Sequence, residues 1–113
     1  MIIPEEVQQE LLSAPHDARC SFVLEWKDKP SVSTASLSRK DARSAMLRAM
    51  AEIKKPILEA LRRQPAVEIN DLAGTGQAVV EASASRWREL VNLPTFRNAH
   101  VRLLPNEQFS TQG

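Results

Sequence analysis

His16 and Cys20 stand four residues apart in "HDARC" and come nearest in this chain to a nucleophilic pair. A thiol activated by an imidazole needs both groups on one surface and a third group to orient the base. This spacing straddles a loop and the start of a strand, and no third group stands beside it. Cys20 is therefore expected to be a buried, unreactive thiol. As the chain's single cysteine it excludes an intrachain disulfide and two-cysteine zinc motifs. His100 opens an apolar run on its outward side and is expected at the surface. Glu68, Asp71 and Glu81 fall near one hairpin, yet nothing in the sequence marks any of them as an unusual acid. The "GTG" at 74–76 is a turn signal without the lysine or helix start of a phosphate loop. No catalytic residue, metal site or cofactor is expected, and the chain reads as a binding protein rather than an enzyme.

The elements that must position these residues follow from periodicity. Residues 4–13 carry Val7, Leu11 and Leu12 on one side of a short helix, with Pro4 tolerated in its first turn. Residues 18–26 alternate: Cys20, Phe22, Leu24 and Trp26 point one way, and Ser21, Val23 and Glu25 the other, as in a half-buried strand. Ser38 is a good N-cap for a long helix reaching about Arg63, with Asp41 in its first turn. Its expected buried stripe is Ala42, Ala45, Met46, Ala49, Ile53 and Ile57. Pro56 deletes a backbone hydrogen bond, so a kink or break is expected near Lys54 and Lys55.

Residues 66–72 and 77–83 predict a hairpin closed by "AGTG", with Val67 and Ile69 on one face and Ala78, Val80 and Ala82 on the other strand's matching face. Ser85 opens a helix with Trp87, Leu90 and Val91 on its apolar side, ended by Asn92 and Pro94. Residues 100–104 close the pattern as a strand with Val101 and Leu103 inward.

Strand, helix, strand, strand, helix, strand, each strand apolar on one face, asks for one antiparallel sheet with both helices on the same side. Right-handed crossovers place the first and third strands in the centre. The expected fold is α+β, a ferredoxin-like βαββαβ sandwich with an added N-terminal helix. Its parts are an N-terminal helical extension (1–17), the sandwich (18–105) and a flexible C-terminal tail (106–113). The outward positions of the central strands are Ser21, Val23, Glu25, Gln77, Val79 and Glu81. None is aromatic, which argues against base stacking by single-stranded RNA readers of this fold. Copper chaperones of similar shape need a cysteine pair, and acylphosphatases a glycine-rich anion loop holding an arginine; both are missing.

Bulk properties agree with a binding role. The chain has 113 residues, 42% hydrophobic and 26% charged, with a net charge of +1. That length suits one domain, and so weak a charge draws in neither nucleic acid nor an anionic membrane. The cations clustered in 39–55 are interleaved with acids and read as a solvated helix face. No secretory signal pattern or apolar run of membrane-span length is visible, so a cytoplasmic location is the default expectation.

The second half carries a family resemblance. Val67, Ile69 and Leu72, then Gly76, Ala78 and Val80, then Trp87 and Leu90, then Leu93–Pro94, Val101 and Leu103, followed by Pro105 and Asn106, resemble the second half of a subtilase propeptide, the inhibitor I9-type domain. With the strand at Cys20–Trp26 and the long helix, the resemblance spans roughly residues 18–113. It implies a free-standing inhibitor or partner of a subtilisin-like serine protease. In that family the outer sheet face docks on the protease and the C-terminal tail lies in its substrate groove.

The docking face implied here is Val23, Glu25, Asp71, Val79, Glu81 and Leu104, the valines and the leucine giving apolar area and the carboxylates meeting helix N-termini of the partner. The tail would be Asn106, Glu107, Gln108, Phe109, Ser110, Thr111, Gln112 and Gly113, long enough at roughly 26 Å to cover several subsites by strand addition. Phe109 would be its anchor. The competing expectations are a tail that merely frays, and a non-catalytic dimerisation or scaffold domain using the sheet face or an edge strand. In solution the chain would be a monomer or weak homodimer.

Overall fold

Alternation in Arg19–Trp26 produces β1, in which Cys20, Phe22, Leu24 and Trp26 are buried while Ser21, Val23 and Glu25 are half-exposed. The computed structural model describes residues 2–33, 35–97 and 100–106. In chain order these form α1 (Glu5–Ser13), β1, α2 (Arg39–Arg62), β2 (Glu68–Leu72), β3 (Gln77–Ser83), α3 (Ala84–Leu90), α4 (Pro94–Arg97) and β4 (Val101–Pro105). The strands make one four-stranded antiparallel sheet in the order β2-β3-β1-β4. The first and third strands are therefore central, as expected. The fold is α+β: an open sheet whose inward residues join buried residues of every helix in a single core cluster.

Trp87 organises the middle of that core. Its ring meets Phe22 edge-on, with centroids 5.1 Å apart and planes at 77°, and its indole N–H donates to the Cys20 carbonyl at 2.9 Å. The indole is fully buried without leaving its one donor unsatisfied.

Four local expectations need correction. First, α2 runs unbroken through Pro56. The proline frees only the carbonyl of Glu52, an exposed residue that water can reach, and Ile57, Leu58 and Leu61 beyond it are anchored in the core. Second, the buried side of α2 is Met50, Lys54, Ile57, Leu58 and Leu61 rather than the alanine stripe; Ala42, Ala45, Ala49 and Ile53 are half-buried and Met46 is exposed. A lysine at the centre of the true face shifts the apparent apolar stripe round the helix. Third, the cap of α3 is Ser83, two residues before the expected Ser85, and its hydroxyl accepts from the Arg86 amide at 3.2 Å. Fourth, the segment after α3 forms the short helix α4, which buries Phe96.

The N-terminal extension is part of the core. Val7 and Leu11 are buried, and the last carbonyls of α1 are capped from a distance by Arg88, which donates to Leu11 O and to Ala14 O at 3.1 Å. Ahead of α1, the Ile2 amide donates to Val101 O at 2.9 Å and its carbonyl accepts from Leu103 at 3.0 Å, a parallel bridge along the outer edge of β4. One sheet edge is thus partly covered by the chain's own start. The β2 edge has no such cover among the described residues.

Candidate binding face

Among the described residues the helices all lie on one side of the sheet, and the strand registers arrange the side chains of the other side in three rows. Glu68, Glu81 and Ser21 share the first; Asn70, Val79, Val23 and Leu104 the second; Leu72, Gln77, Glu25 and Arg102 the third. Sheet geometry puts neighbours within a row about 5 Å apart, so Val79, Val23 and Leu104 stand side by side across three strands. Together with Leu72, Gln77, Pro105 and Asn106 they line one shallow depression. Apart from Asn70 at its β2 end the middle row is apolar, while the rows beside it are mostly polar.

The polar rows are ordered by internal ion pairs. Glu25 accepts from the Arg102 guanidinium and, at 3.3 Å, from the Gln77 amide. That bond to Arg102 holds the Glu25 carboxyl below its ordinary value, against a smaller upward push from burial. At the other end Arg19 reaches Glu81 at 3.1 Å and Glu68 at 3.6 Å. The carboxylates Glu25 and Glu81, expected to stand ready for a partner's helix ends, are engaged with cations of their own sheet.

Of the residues expected on this face, Val23, Glu25, Val79, Glu81 and Leu104 share it. Asp71 does not. Its register partner is Ala78, an inward residue, and its carboxylate lies on the helix side, 2.8 Å from the Lys54 ammonium. Strand parity decides this: Ile69 and Asp71 share a face, so an inward Ile69 brings Asp71 with it. Asn106, expected to begin a free tail, is instead 8% exposed and donates to the Ser21 hydroxyl at 2.9 Å. It lies just past the end of β4, held beside β1 by that bond. Glu107, Gln108, Phe109, Ser110, Thr111, Gln112 and Gly113 lie outside the described residues.

Arg19, Ser21 and Arg102 contribute to this face although the expected docking set omits them; of these, Ser21 is already outward by strand alternation in the sequence. Arg102 was legible there as well, since the alternation that turns Leu104 outward turns Arg102 outward too.

Among the described residues no hydrogen bond joins the Cys20 thiol to His16. The Cys20 thiol lies on the core side, 3.8 Å from Ala18 O, and its pKa is raised by burial first and the Glu10 carboxylate second, with Arg88 partly opposing. His16 sits against Arg88, with 3.2 Å between His16 Nδ1 and Arg88 Nη1, and exposed His100 lies 3.5 Å from Asp28. Among the described residues no cluster of three or more His, Cys, Asp or Glu is placed to hold a metal ion, and no helix is long and apolar enough to cross a membrane.

Comparison with known proteins finds no matching family model, no matching curated protein and no matching solved structure.

Proposed function

We propose that this chain is a protein-binding module of ferredoxin-like architecture, acting as the propeptide-like inhibitor or partner of a subtilisin-like serine protease. The outer sheet face is the docking surface, and the chain leaving Asn106 continues into the partner's substrate groove. The observation that carries this reading is the apolar row Val79–Val23–Leu104 on the side of the sheet that no described helix covers. Two features add to it. The strand order β2-β3-β1-β4 is that of a ferredoxin-like sandwich, and β4 delivers the chain to Asn106 at the corner of the same face. An extended peptide leaving there can bind by strand addition, with main-chain hydrogen bonds supplying affinity and Phe109 supplying an anchor.

The test is inhibition of a subtilisin-like protease by the full chain and by a chain ending at Asn106. Stoichiometric inhibition lost on truncation supports the reading. No slowing of peptide hydrolysis at micromolar full-length protein overturns it.

Self-association through the same face is the second reading. It is favoured by the pairing of Glu25 with Arg102 and of Arg19 with Glu81, which lets two copies meet without stranding an unpaired charge. Light scattering distinguishes the two, because a strict monomer at high concentration removes the second.

A further inference from the structure

The core-facing stripe of α2 outruns the core. Leu61, Ile57, Lys54 and Met50 are buried, and the same stripe continues at helical spacing through Leu47, Met46, Arg43 and Arg39, all exposed. No residue of α2 before Met50 is buried, so the first 11 of its 24 residues, Arg39 to Ala49, form an overhang roughly 16 Å long. Three of the five large apolar side chains standing exposed among the described residues belong to this stretch: Leu37 at 40% just ahead of the Ser38 cap, and Met46 at 40% and Leu47 at 41% toward its inner end. Leu47 is laid down on the β2–β3 turn, where a Cβ added to Gly74 would come within 2.7 Å of its Cδ2. The result is a low apolar step.

The charge around this step is one-sided. At helical spacing Arg39, Lys40 and Arg43 lie on the same side of α2 as Met46 and Leu47, while Arg48 lies round toward the far side, with Asp41 the only acid between them. None of the four cations is joined to a carboxylate among the described residues. Cations in the opening turns of a helix also oppose its macrodipole, so they weaken α2 itself. Local choices that work against the element carrying them are commonly found where function sets the sequence.

We propose that the α2 overhang is a second docking surface, for an acidic amphipathic helix of a protein partner. The apolar side of such a helix covers Leu37, Met46 and Leu47, and its carboxylates meet Arg39, Lys40 and Arg43. Methionine suits such a contact because its unbranched side chain adapts to the shape it meets. Nucleic acid is the poorer fit, since no aromatic side chain stands in the overhang to stack a base. A lipid surface is also the poorer fit, because Leu47 lies flat against the turn instead of projecting into a bilayer. This surface belongs to the helix layer and is separate from the sheet face, so the proposal stands or falls independently of the protease reading.

The experiment is an amide chemical-shift titration of the full chain with a synthetic amphipathic helix carrying Glu on its polar side and Leu on its apolar side. The same peptide with Lys in place of Glu, phosphatidylserine vesicles and a single-stranded oligonucleotide serve as comparisons. The expected result is shifts confined to residues 37–48 and 73–76 with the Glu peptide alone. Affinity should fall at least tenfold in the double variant Arg39→Glu, Arg43→Glu and again in Met46→Ala. The double variant should keep or raise its melting temperature, since it removes charges that oppose the dipole. No shifts with the Glu peptide at millimolar concentration, an equal response to the Lys peptide, or a stronger response to vesicles or oligonucleotide overturns the proposal.

Discussion

Lys54 and Asp71 form a staple between α2 and the β2–β3 hairpin: the ammonium lies 2.8 Å from the carboxylate, with the lysine side chain 1% exposed. Its other two donors go to Gln77 O at 2.7 Å and Leu72 O at 3.1 Å, and the charge sits 5.6 Å from the centroid of the Trp26 ring. All three N–H groups are satisfied, which is what makes a buried lysine tolerable. The staple fixes the end of the hairpin against the helix.

Lys54→Ala removes the ammonium from the half-buried Asp71 carboxylate and from Gln77 O and Leu72 O, of which Leu72 O keeps its bonds from Thr75, and opens a cavity. It is expected to destabilise the fold by about 3 kcal/mol, tempered by water reaching Asp71. Lys54→Met refills the space but not the hydrogen bonds and should fall between the two proteins. Urea unfolding checks the order, and a Lys54→Ala midpoint equal to that of the unaltered protein would contradict it.

Ala66 adopts φ 59°, a left-handed conformation that costs an alanine its usual preference, in the connection between α2 and β2. Ala66→Gly relieves that strain and is expected to stabilise by about 0.5–1 kcal/mol, despite the added freedom of the unfolded chain. Thermal melting of the single variant measures it, with a rise of a few degrees expected for a domain of this size.

The Glu25–Arg102 pair gives stability a pH dependence of definite sign. The folded-state pKa of Glu25 lies below its ordinary value of 4.5. The unfolded chain therefore takes up a proton here before the folded one does. The stabilisation is fully present above the ordinary value and is lost as pH falls through the depressed one. Melting temperature followed from pH 7 downwards should fall less steeply below about pH 4.5 in Glu25→Gln than in the unaltered protein. Parallel curves would contradict this.

Cys20 combines burial with a raised pKa, so little thiolate is present at neutral pH and little of it is accessible. A disulfide reagent should modify it slowly in the native protein and rapidly in denaturant. Rapid modification under native conditions would show that the β1–α3 packing opens readily.

These features differ in how far the sequence reveals them, for physical reasons. Strands such as Arg19–Trp26 are legible because one buried and one open face impose a period of two, which also gives the central placement of β1 and β3. The inward position of Asp71 was legible in principle from Ile69, but a carboxylate beside a turn invites an outward assignment. Lys54 was not legible: a charged residue in the core contradicts the hydropathy pattern unless its three acceptors are known, and they come from residues 17–23 positions further along. Pro56 misleads for a related reason. The local cost of a proline is visible in sequence, while the burial of Ile57, Leu58 and Leu61 that outweighs it is tertiary. The ion pairs on the sheet face join residues 62 and 77 positions apart and become visible only once the register is known.

The central claim is that a protein partner docks on the outer face of the sheet. The most direct measurement is an amide chemical-shift map of the labelled full chain with one equivalent of a subtilisin-like protease, repeated with Val79→Glu. Docking on the face predicts changes concentrated at residues 21–25, 77–81 and 102–106, and their loss in the variant while its fold is retained. Changes restricted to the helix layer, or none at all, would contradict it.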